Sequence, residues 1–420
     1  MSSKTLKGTI NIPGDKSISH RTIILGSIAK GDTIVRGFLR SDDCISSINC
    51  FRDMGIDIEV NDSVIIHGRG LHGLKEPCKC LYAGNSGTTT RLLAGLLSGQ
   101  AFPSSITGDS SIEKRPMARV IKPLTLMNAN IKGTDDKYCP LHIKPAAIHG
   151  IDYESPISSA QVKSAIMLAA LYADSDTEIT EPVKSRNHSE LMFNGFGANV
   201  IDNGNTVIVH PGNELYGREI TVPGDISSAA YFIAAGLISH NSEILIKNVG
   251  INPTRDGILK VAEKMGAKFD ILNRHTECGE DVADIVVYSS KLKGITIEGD
   301  IIPTLIDELP IIAIMAAAAE GTTYIRDAAE LRVKESDRIS AMVTGLRNIG
   351  VNASELEDGM IIEGTDHIKG GSVISHNDHR IAMSFTIASL VSDAPVDIDN
   401  TECINISYPD FLRDLNTLIQ

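Results

Sequence analysis

The chain reads GTINIPGDKSISHRTIILGSIA at 8–29 and REITVPGDISSAAYFIAAGLIS at 218–239. Superposed with an offset of 210 residues, eight of these 22 positions are identical, including the whole P-G-D-x-S core. In both copies a short alternating run meets a Pro-Gly turn, and a polar residue then opens an apolar helix. After its turn the first copy carries Lys16, His20 and Arg21, whereas the second carries no cation. A phrase written twice and charged once implies a duplicated scaffold. The scaffold explains the repetition, and the charges answer to a ligand.

A shorter period lies inside each half. MGIDIEV at 54, MNANIKG at 127, FGANVID at 196, MGAKFDI at 265 and IGVNASE at 349 each close a helix-like segment and open a short strand. Glycine supplies the left-handed residue that stops a helix, and the alternation after it suits a strand. A spacing of roughly 70 residues makes six units fill the chain. Each unit also holds a second helix: 14–29, 84–99, 158–173, 224–239, 306–321 and 377–393. Every one begins polar and then runs apolar on all faces, with many Ala, Gly and Ser, which marks a buried helix. Between them lie strand-like runs such as TIVRGF, SVIIHG, TVIVHP and EILIKNV.

The fold class expected is therefore α/β: buried helices wrapped by sheets, an inside-out α/β barrel in each of two lobes. Lobe 1 is expected over 1–13 and 226–420 and lobe 2 over 14–225, with three repeats in each. Helix starts expose unpaired N–H groups and the positive end of the dipole. Six such starts facing one cleft would make an anion trap before any lysine is added.

The bulk numbers agree. At 420 residues two domains are the natural prior. A net charge of −14 argues against a nucleic-acid binder, but a local cation cluster still holds small anions at short range. Seven cysteines, at 44, 50, 78, 80, 139, 278 and 403, are odd in number and scattered, so no disulfide framework is expected. Cys78 and Cys80 form a C-x-C without a second pair, so neither a structural metal nor a cofactor is expected. No run reaches about 18 apolar residues, and the expected location is the cytoplasm, as a monomer.

The chemistry-bearing residues fall at the helix starts. Lys16, Ser17 and Arg21 occupy the first turns of the first helix, with Ser17 a candidate cap. GNSGTTTR at 84–91 is either a simple turn or a cradle, in which Gly84 and Gly87 admit an anion to backbone N–H groups and Thr88 caps the helix. Lys114, Arg115 and Arg119 flank Pro116. Ser159, Gln161 and Lys163, with Ser185 and Arg186, suit a phosphate monoester. In ELRVKESDRI, Lys334 and Arg338 stand four apart and would repel on one helix, with Arg332 adding to the strain. Glu335 among them suits a proton donor or shuttle. Asp378, His379 and Arg380 open the last buried helix. Asp307 is either a routine cap or, beside several cations, an ionised base held below the usual carboxylate range.

With these residues in view the chain resembles the 5-enolpyruvylshikimate-3-phosphate synthases. PGDKSISHR, AGNSGTTTRLL, KRPM, SAQVKSA, SRNHSE, VPGDISSAA, IDELPI, LRVKESDR and NDHRIAM carry the resemblance over essentially the whole length. It implies two lobes of three βαβαββ units, and enolpyruvyl transfer from phosphoenolpyruvate to the 5-hydroxyl of shikimate 3-phosphate with release of phosphate. Matched motif by motif, Lys16, Ser17 and Arg21 would hold shikimate phosphate, with Lys16 also touching phosphoenolpyruvate. Ser159, Ala160, Gln161, Ser185 and Arg186 would hold the shikimate-side phosphate and ring. Gly87, Arg115, Arg338 and Arg380 would hold phosphoenolpyruvate, and His379 would also bind substrate. Asp307 would accept the hydroxyl proton, and Glu335 with Lys334 would handle protons at the enolpyruvyl group. The two substrates bring about −5 to −6 together. Seven cations, Lys16, Arg21, Arg115, Arg186, Lys334, Arg338 and Arg380, answer them.

Three positions depart from one subgroup of that family: Ala160 for a serine, Glu330 for an asparagine and Ile406 for a lysine. They fit a second, divergent subgroup that includes glyphosate-tolerant members. The related UDP-N-acetylglucosamine enolpyruvyl transferases carry a cysteine in the loop before their R-P motif, and TGDSSIEKRPM has none.

Overall fold

Both P-G-D turns place their aspartate at a helix N-cap. Asp15 Oδ1 accepts from Ile18 N–H at 2.8 Å, and Asp225 Oδ1 accepts from Ser227 N–H at 2.8 Å. Ser17, the expected cap, lies inside the first turn, because the aspartate two residues earlier already satisfies the orphan donor. The glycine is obligatory in the first copy: a Cβ on Gly14 would sit 1.9 Å from the carbonyl oxygen of Gly37.

The computed structural model describes residues 4–277 and 279–420; Cys278 and the first three residues lie outside it. The chain divides into two units. Unit 1 comprises Met1–Pro13, Pro223–Thr276 and Asp281–Gln420, and unit 2 comprises Gly14–Val222 and Glu277–Glu280. The chain thus passes from one unit to the other at each Pro-Gly turn.

Unit 2 carries helices α1 (Lys16–Ile28), α2 (Asp42–Asp53), α3 (Gly87–Ser98), α4 (Ala118–Leu126), α5 (Ala160–Ala170) and α6 (His188–Phe196). Unit 1 carries α7 (Ile226–Ile238), α8 (Gly257–Lys264), α9 (Leu309–Ala317), α10 (Arg338–Asn348), α11 (His379–Ala388) and α12 (Phe411–Leu418). The helices read as apolar on all faces are interior: α1, α3 and α5 in unit 2, and α7, α9 and α11 in unit 1. Every residue of α9 is buried. Small residues let these helices touch. A Cβ on Gly95 of α3 would lie 2.0 Å from the Ala165 oxygen of α5. Each unit has its own apolar core.

Around the interior helices one sheet plan recurs. The strand after a buried helix pairs with a parallel edge strand on one side and an antiparallel strand on the other, with a fourth strand outside that. In unit 2, Lys30–Arg36, Ser104–Thr107 and Thr177–Thr180 hold this place, and in unit 1 Glu243–Gly250 and Thr322–Ile325 do. The sixth strand of this kind, Val396–Ile398, pairs only with Gly371–Val373 among the described residues. In four repeats the parallel edge strand is the one leading into that same helix, as Leu81–Tyr82 leads into α3. The two P-G-D repeats exchange theirs: Lys7–Asn11, which leads into α1, pairs with Glu243–Gly250, while Glu219–Thr221, which leads into α7, pairs with Lys30–Arg36. The left-handed stops read from sequence are present at Gly55, Asn128, Gly197, Gly266 and Gly350.

Candidate active site

In unit 2 the starts of α1, α3, α5 and α6 are tied together by charged and hydroxyl side chains. Lys16 forms an ion pair with Asp43 of α2. Arg21 is 4% exposed. Its Nε donates to Ser189 Oγ at 2.7 Å, Nη2 to Ser164 Oγ at 2.8 Å and Nη1 to the Ser17 carbonyl at 3.0 Å. One guanidinium therefore pins α1, α5 and α6. Burial lowers its pKa to about 10, against the pull of Glu190 and Asp15, so it stays charged at neutral pH.

The segments around Ser159 and Ser185 meet on one carboxylate. Glu181 Oε1 accepts the Ser159 N–H at 2.8 Å; Oε2 accepts Ser185 N–H at 3.2 Å and Ser185 Oγ at 2.8 Å. Lys163 closes the network, with Nζ 2.9 Å from Glu181 and 2.7 Å from Glu190. Its side chain is 1% exposed, so Lys163 braces this loop from inside, where sequence had offered it to a phosphate. Burial opposes its charge, but Glu190 and Glu181 outweigh burial and raise its pKa. Ala160, Gln161 and Arg186 flank this network. Gln161 donates to Thr88 Oγ1 at 3.0 Å and accepts from Arg91, which joins α5 to the start of α3.

At α3 the cap is Ser86, whose Oγ accepts the Thr89 N–H at 3.1 Å; Thr88, the expected cap, is already helical. Two guanidinium groups crowd Gly87: a Cβ there would stand 2.7 Å from Arg91 Nη1 and 3.4 Å from Arg115 Nη1. Arg115 is held by Asn85 Oδ1 at 2.7 Å and Ser111 Oγ at 3.2 Å. A helix N-terminus with two guanidinium groups beside a glycine suits a carboxylate or phosphate.

Unit 1 gathers a second cluster where α9, α10 and α11 begin. Asp307, just before α9, lies 3.3 Å from Arg338 Nη1, 3.6 Å from Lys334 Nζ and 4.0 Å from Arg380 Nη2. Arg380 Nη1 also donates to the Asp307 carbonyl at 2.9 Å. Arg338 is the hub, with a side chain only 1% exposed. Its Nε donates to Asp378 at 2.8 Å and its Nη2 to Glu335 at 2.6 Å. Burial works against its charge, but Asp378, Glu335 and Asp307 raise its pKa well above the usual value. In the same way burial pushes the Asp378 carboxyl up, and Arg338 overrides it, leaving the pKa below the ordinary range. Asp378 caps α11 through the Arg380 N–H at 2.9 Å, and His379 is buried in its first turn. Asp307, Lys334, Glu335 and Arg380 keep part of their side chains exposed.

The structure corrects the expectation of one helix through ELRVKESDRI. A 3-10 turn covers Ala329–Val333, and α10 starts only at Arg338, capped by Asp337. Lys334 and Arg338 therefore do not repel along a helix face; Asp307 lies beside both. Arg332 leaves the cluster to pair with Asp337 at 2.7 Å and Glu355 at 3.3 Å. Sequence reasoning missed Glu181, Ser164 and Ser189, whose roles come from contacts with residues distant in the chain. For Arg91 the signal was its place in GNSGTTTR, a cation one turn into an apolar helix. Among the described residues no group of three or more His, Cys, Asp and Glu side chains is placed to hold a metal, and no helix is long and apolar enough to cross a membrane.

The family model "EPSP synthase (3-phosphoshikimate 1-carboxyvinyltransferase)" matches residues 1–415. The chain is 53% identical over 414 residues to the 3-phosphoshikimate 1-carboxyvinyltransferase of Thermoanaerobacter sp. (strain X514), covering 98% of each chain. It is 50% identical over 418 residues to the protein of that name from Bacillus subtilis (strain 168), covering 99% of this chain and 98% of that one. Among solved structures, an EPSP synthase from Acinetobacter baumannii superposes with a TM-score of 0.90 at 46% identity, covering 100% of this chain and 97% of the other.

Proposed function

This chain belongs to the EPSP synthase family, and we propose on that premise that it joins shikimate 3-phosphate to phosphoenolpyruvate at the residues described above. The enolpyruvyl group of phosphoenolpyruvate passes to the 5-hydroxyl of shikimate 3-phosphate, and inorganic phosphate is released. In the addition step the hydroxyl oxygen bonds to C2 of the enol, C3 gains a proton, and the hydroxyl proton goes to a base. In the elimination step the C2–phosphate bond breaks, C3 returns its proton, and the enol is restored on the new ether.

The unit 2 cluster is assigned to shikimate 3-phosphate through Lys16, Ser17, Arg21, Ser159, Ala160, Gln161, Ser185 and Arg186. Hydroxyls, backbone N–H groups and guanidinium groups at helix starts suit a phosphate monoester. As the family resemblance implies, Gly87 and Arg115 are assigned to phosphoenolpyruvate, and so are Lys334, Arg338, His379 and Arg380. Arg338 holds Asp307, Glu335 and Asp378 in place and uses its remaining Nη1–H toward the ligand. Asp307 takes the hydroxyl proton, and Glu335 with Lys334 serves the proton at C3. The proposed working form is a single chain, on which every assigned residue lies.

The observation that carries this reading is Asp307 with Lys334, Arg338 and Arg380 within 3.3–4.0 Å. A carboxylate so surrounded is kept ionised and oriented, as a base must be. The test is phosphate release on mixing protein, shikimate 3-phosphate and phosphoenolpyruvate. Release only when UDP-N-acetylglucosamine replaces the shikimate ester would overturn the substrate assignment. Asp307→Asn should lower kcat by about 10²–10⁴-fold, with both ligand dissociation constants nearly unchanged by calorimetry. Intact turnover with weakened binding would remove Asp307 from its role.

A further inference from the structure

His20 sits between Lys16 and Arg21 on α1, yet its ring bonds to a residue assigned to neither ligand. It is fully buried, and its Nδ1 lies 2.8 Å from Ser47 Oγ on α2. Ser47 Oγ lies 2.7 Å from Thr89 Oγ1 on α3, and Thr89 Oγ1 donates to Ser86 Oγ at 2.7 Å. All four side chains are excluded from solvent. They form one chain of hydrogen bonds from the helix bearing Lys16 to the cap of the helix bearing Gly87.

The direction of that chain is fixed by counting protons. Thr89 has one hydroxyl proton and gives it to Ser86, so Ser47 must donate to Thr89. Ser47 then has no proton left, so His20 Nδ1 must carry one and donate it to Ser47. His20 is thereby locked as the Nδ1–H tautomer, with Nε2 unprotonated and without a hydrogen-bond partner among the described residues. The ring stays neutral, since burial lowers its pKa to about 3 with Lys16 and Arg21 adding to the effect against Asp43. At the far end Ser86 Oγ accepts twice, from Thr89 N–H and Thr89 Oγ1–H, which fills its lone pairs and holds the first turn of α3 in one geometry.

We propose that His20 is a positioning residue: it holds, through Ser47 and Thr89, the Ser86 cap that sets the anion subsite at Gly87. It touches no substrate and acts on the phosphoenolpyruvate side, although its own helix bears the residues assigned to shikimate phosphate. The effect on ligands rests on the reading under "Proposed function"; the tautomer does not.

Two measurements separate these. Long-range ¹H–¹⁵N spectra of histidine-labelled protein, with the His20 signal assigned by its loss in His20→Asn, should show the Nδ1–H tautomer from pH 6 to 8. An Nε2–H tautomer, or titration of the ring in that range, overturns the proposal without any assay of turnover. In kinetics, His20→Ala should raise the KM for phosphoenolpyruvate at least fivefold and leave the KM for shikimate 3-phosphate within twofold. His20→Asn, whose amide can still donate to Ser47, should recover most of that loss. Equal rises in both KM values, no rise, or no recovery in His20→Asn overturns it. Wild-type protein that releases no phosphate from these substrates refutes the functional reading, while the spectra still decide the tautomer.

Discussion

Lys163→Met tests whether the lysine of SAQVKSA supports the site or binds in it. Lys163 Nζ lies 2.9 Å from Glu181 and 2.7 Å from Glu190, and all three side chains are at most 2% exposed. Methionine keeps the length and removes the cation, so two carboxylates remain buried without the ammonium between them. Breaking a buried pair by deleting one partner costs about 3–5 kcal/mol. With a urea m-value of roughly 3 kcal/mol/M, the unfolding midpoint should fall by about 1–1.7 M. The chain has no tryptophan, so far-ultraviolet circular dichroism is the probe. Ser159 and Ser185 hang on Glu181, so the KM for shikimate 3-phosphate should also rise. A midpoint shift below about 0.3 M, alongside a large rise in that KM, would show that Lys163 meets the phosphate directly and that its ion pairs are incidental.

Gly87→Ala places a methyl 2.7 Å from Arg91 Nη1 and 3.4 Å from Arg115 Nη1. The ends of flexible side chains can yield, so thermal stability should hold while the KM for phosphoenolpyruvate rises about tenfold, the worth of one charge-assisted hydrogen bond; an unchanged KM would detach Gly87 from that subsite. Acid should act through Asp378. Its pKa is depressed on folding, so it contributes stability above the unfolded value of about 3.9 that is lost as pH falls below it. Urea unfolding from pH 5 to 2 should lose stability more gently in Asp378→Asn than in the wild type, and equal slopes would contradict the assignment.

Much of the fold is written locally. Asp15 and Asp225 cap their helices because a carboxylate two or three residues ahead of an N–H satisfies it whatever else the chain does. The glycine stops and the all-apolar helices follow from similarly short-range rules, and they placed the six interior helices correctly. The cap of α3 falls at Ser86, two residues before Thr88, because which hydroxyl residue starts a helix depends on where the preceding turn leaves the chain. The break in ELRVKESDRI was hidden for a related reason. Asp337 is a routine cap only if the chain before it has left the helix, and the pull of Asp307 and Asp378 on Lys334 and Arg338 comes from elsewhere in unit 1.

The cations themselves could be named from the linear text, since chemistry and helix position are both properties of nearby residues. Their partners could not. Lys163 looks like a phosphate ligand until Glu181 and Glu190 are brought to it, and His20 looks like part of a binding motif until Ser47 and Thr89 arrive from two other helices. Hydrogen bonds and ion pairs act over about 3 Å, so which groups share one is settled only when strands and helices far apart in the chain are packed side by side.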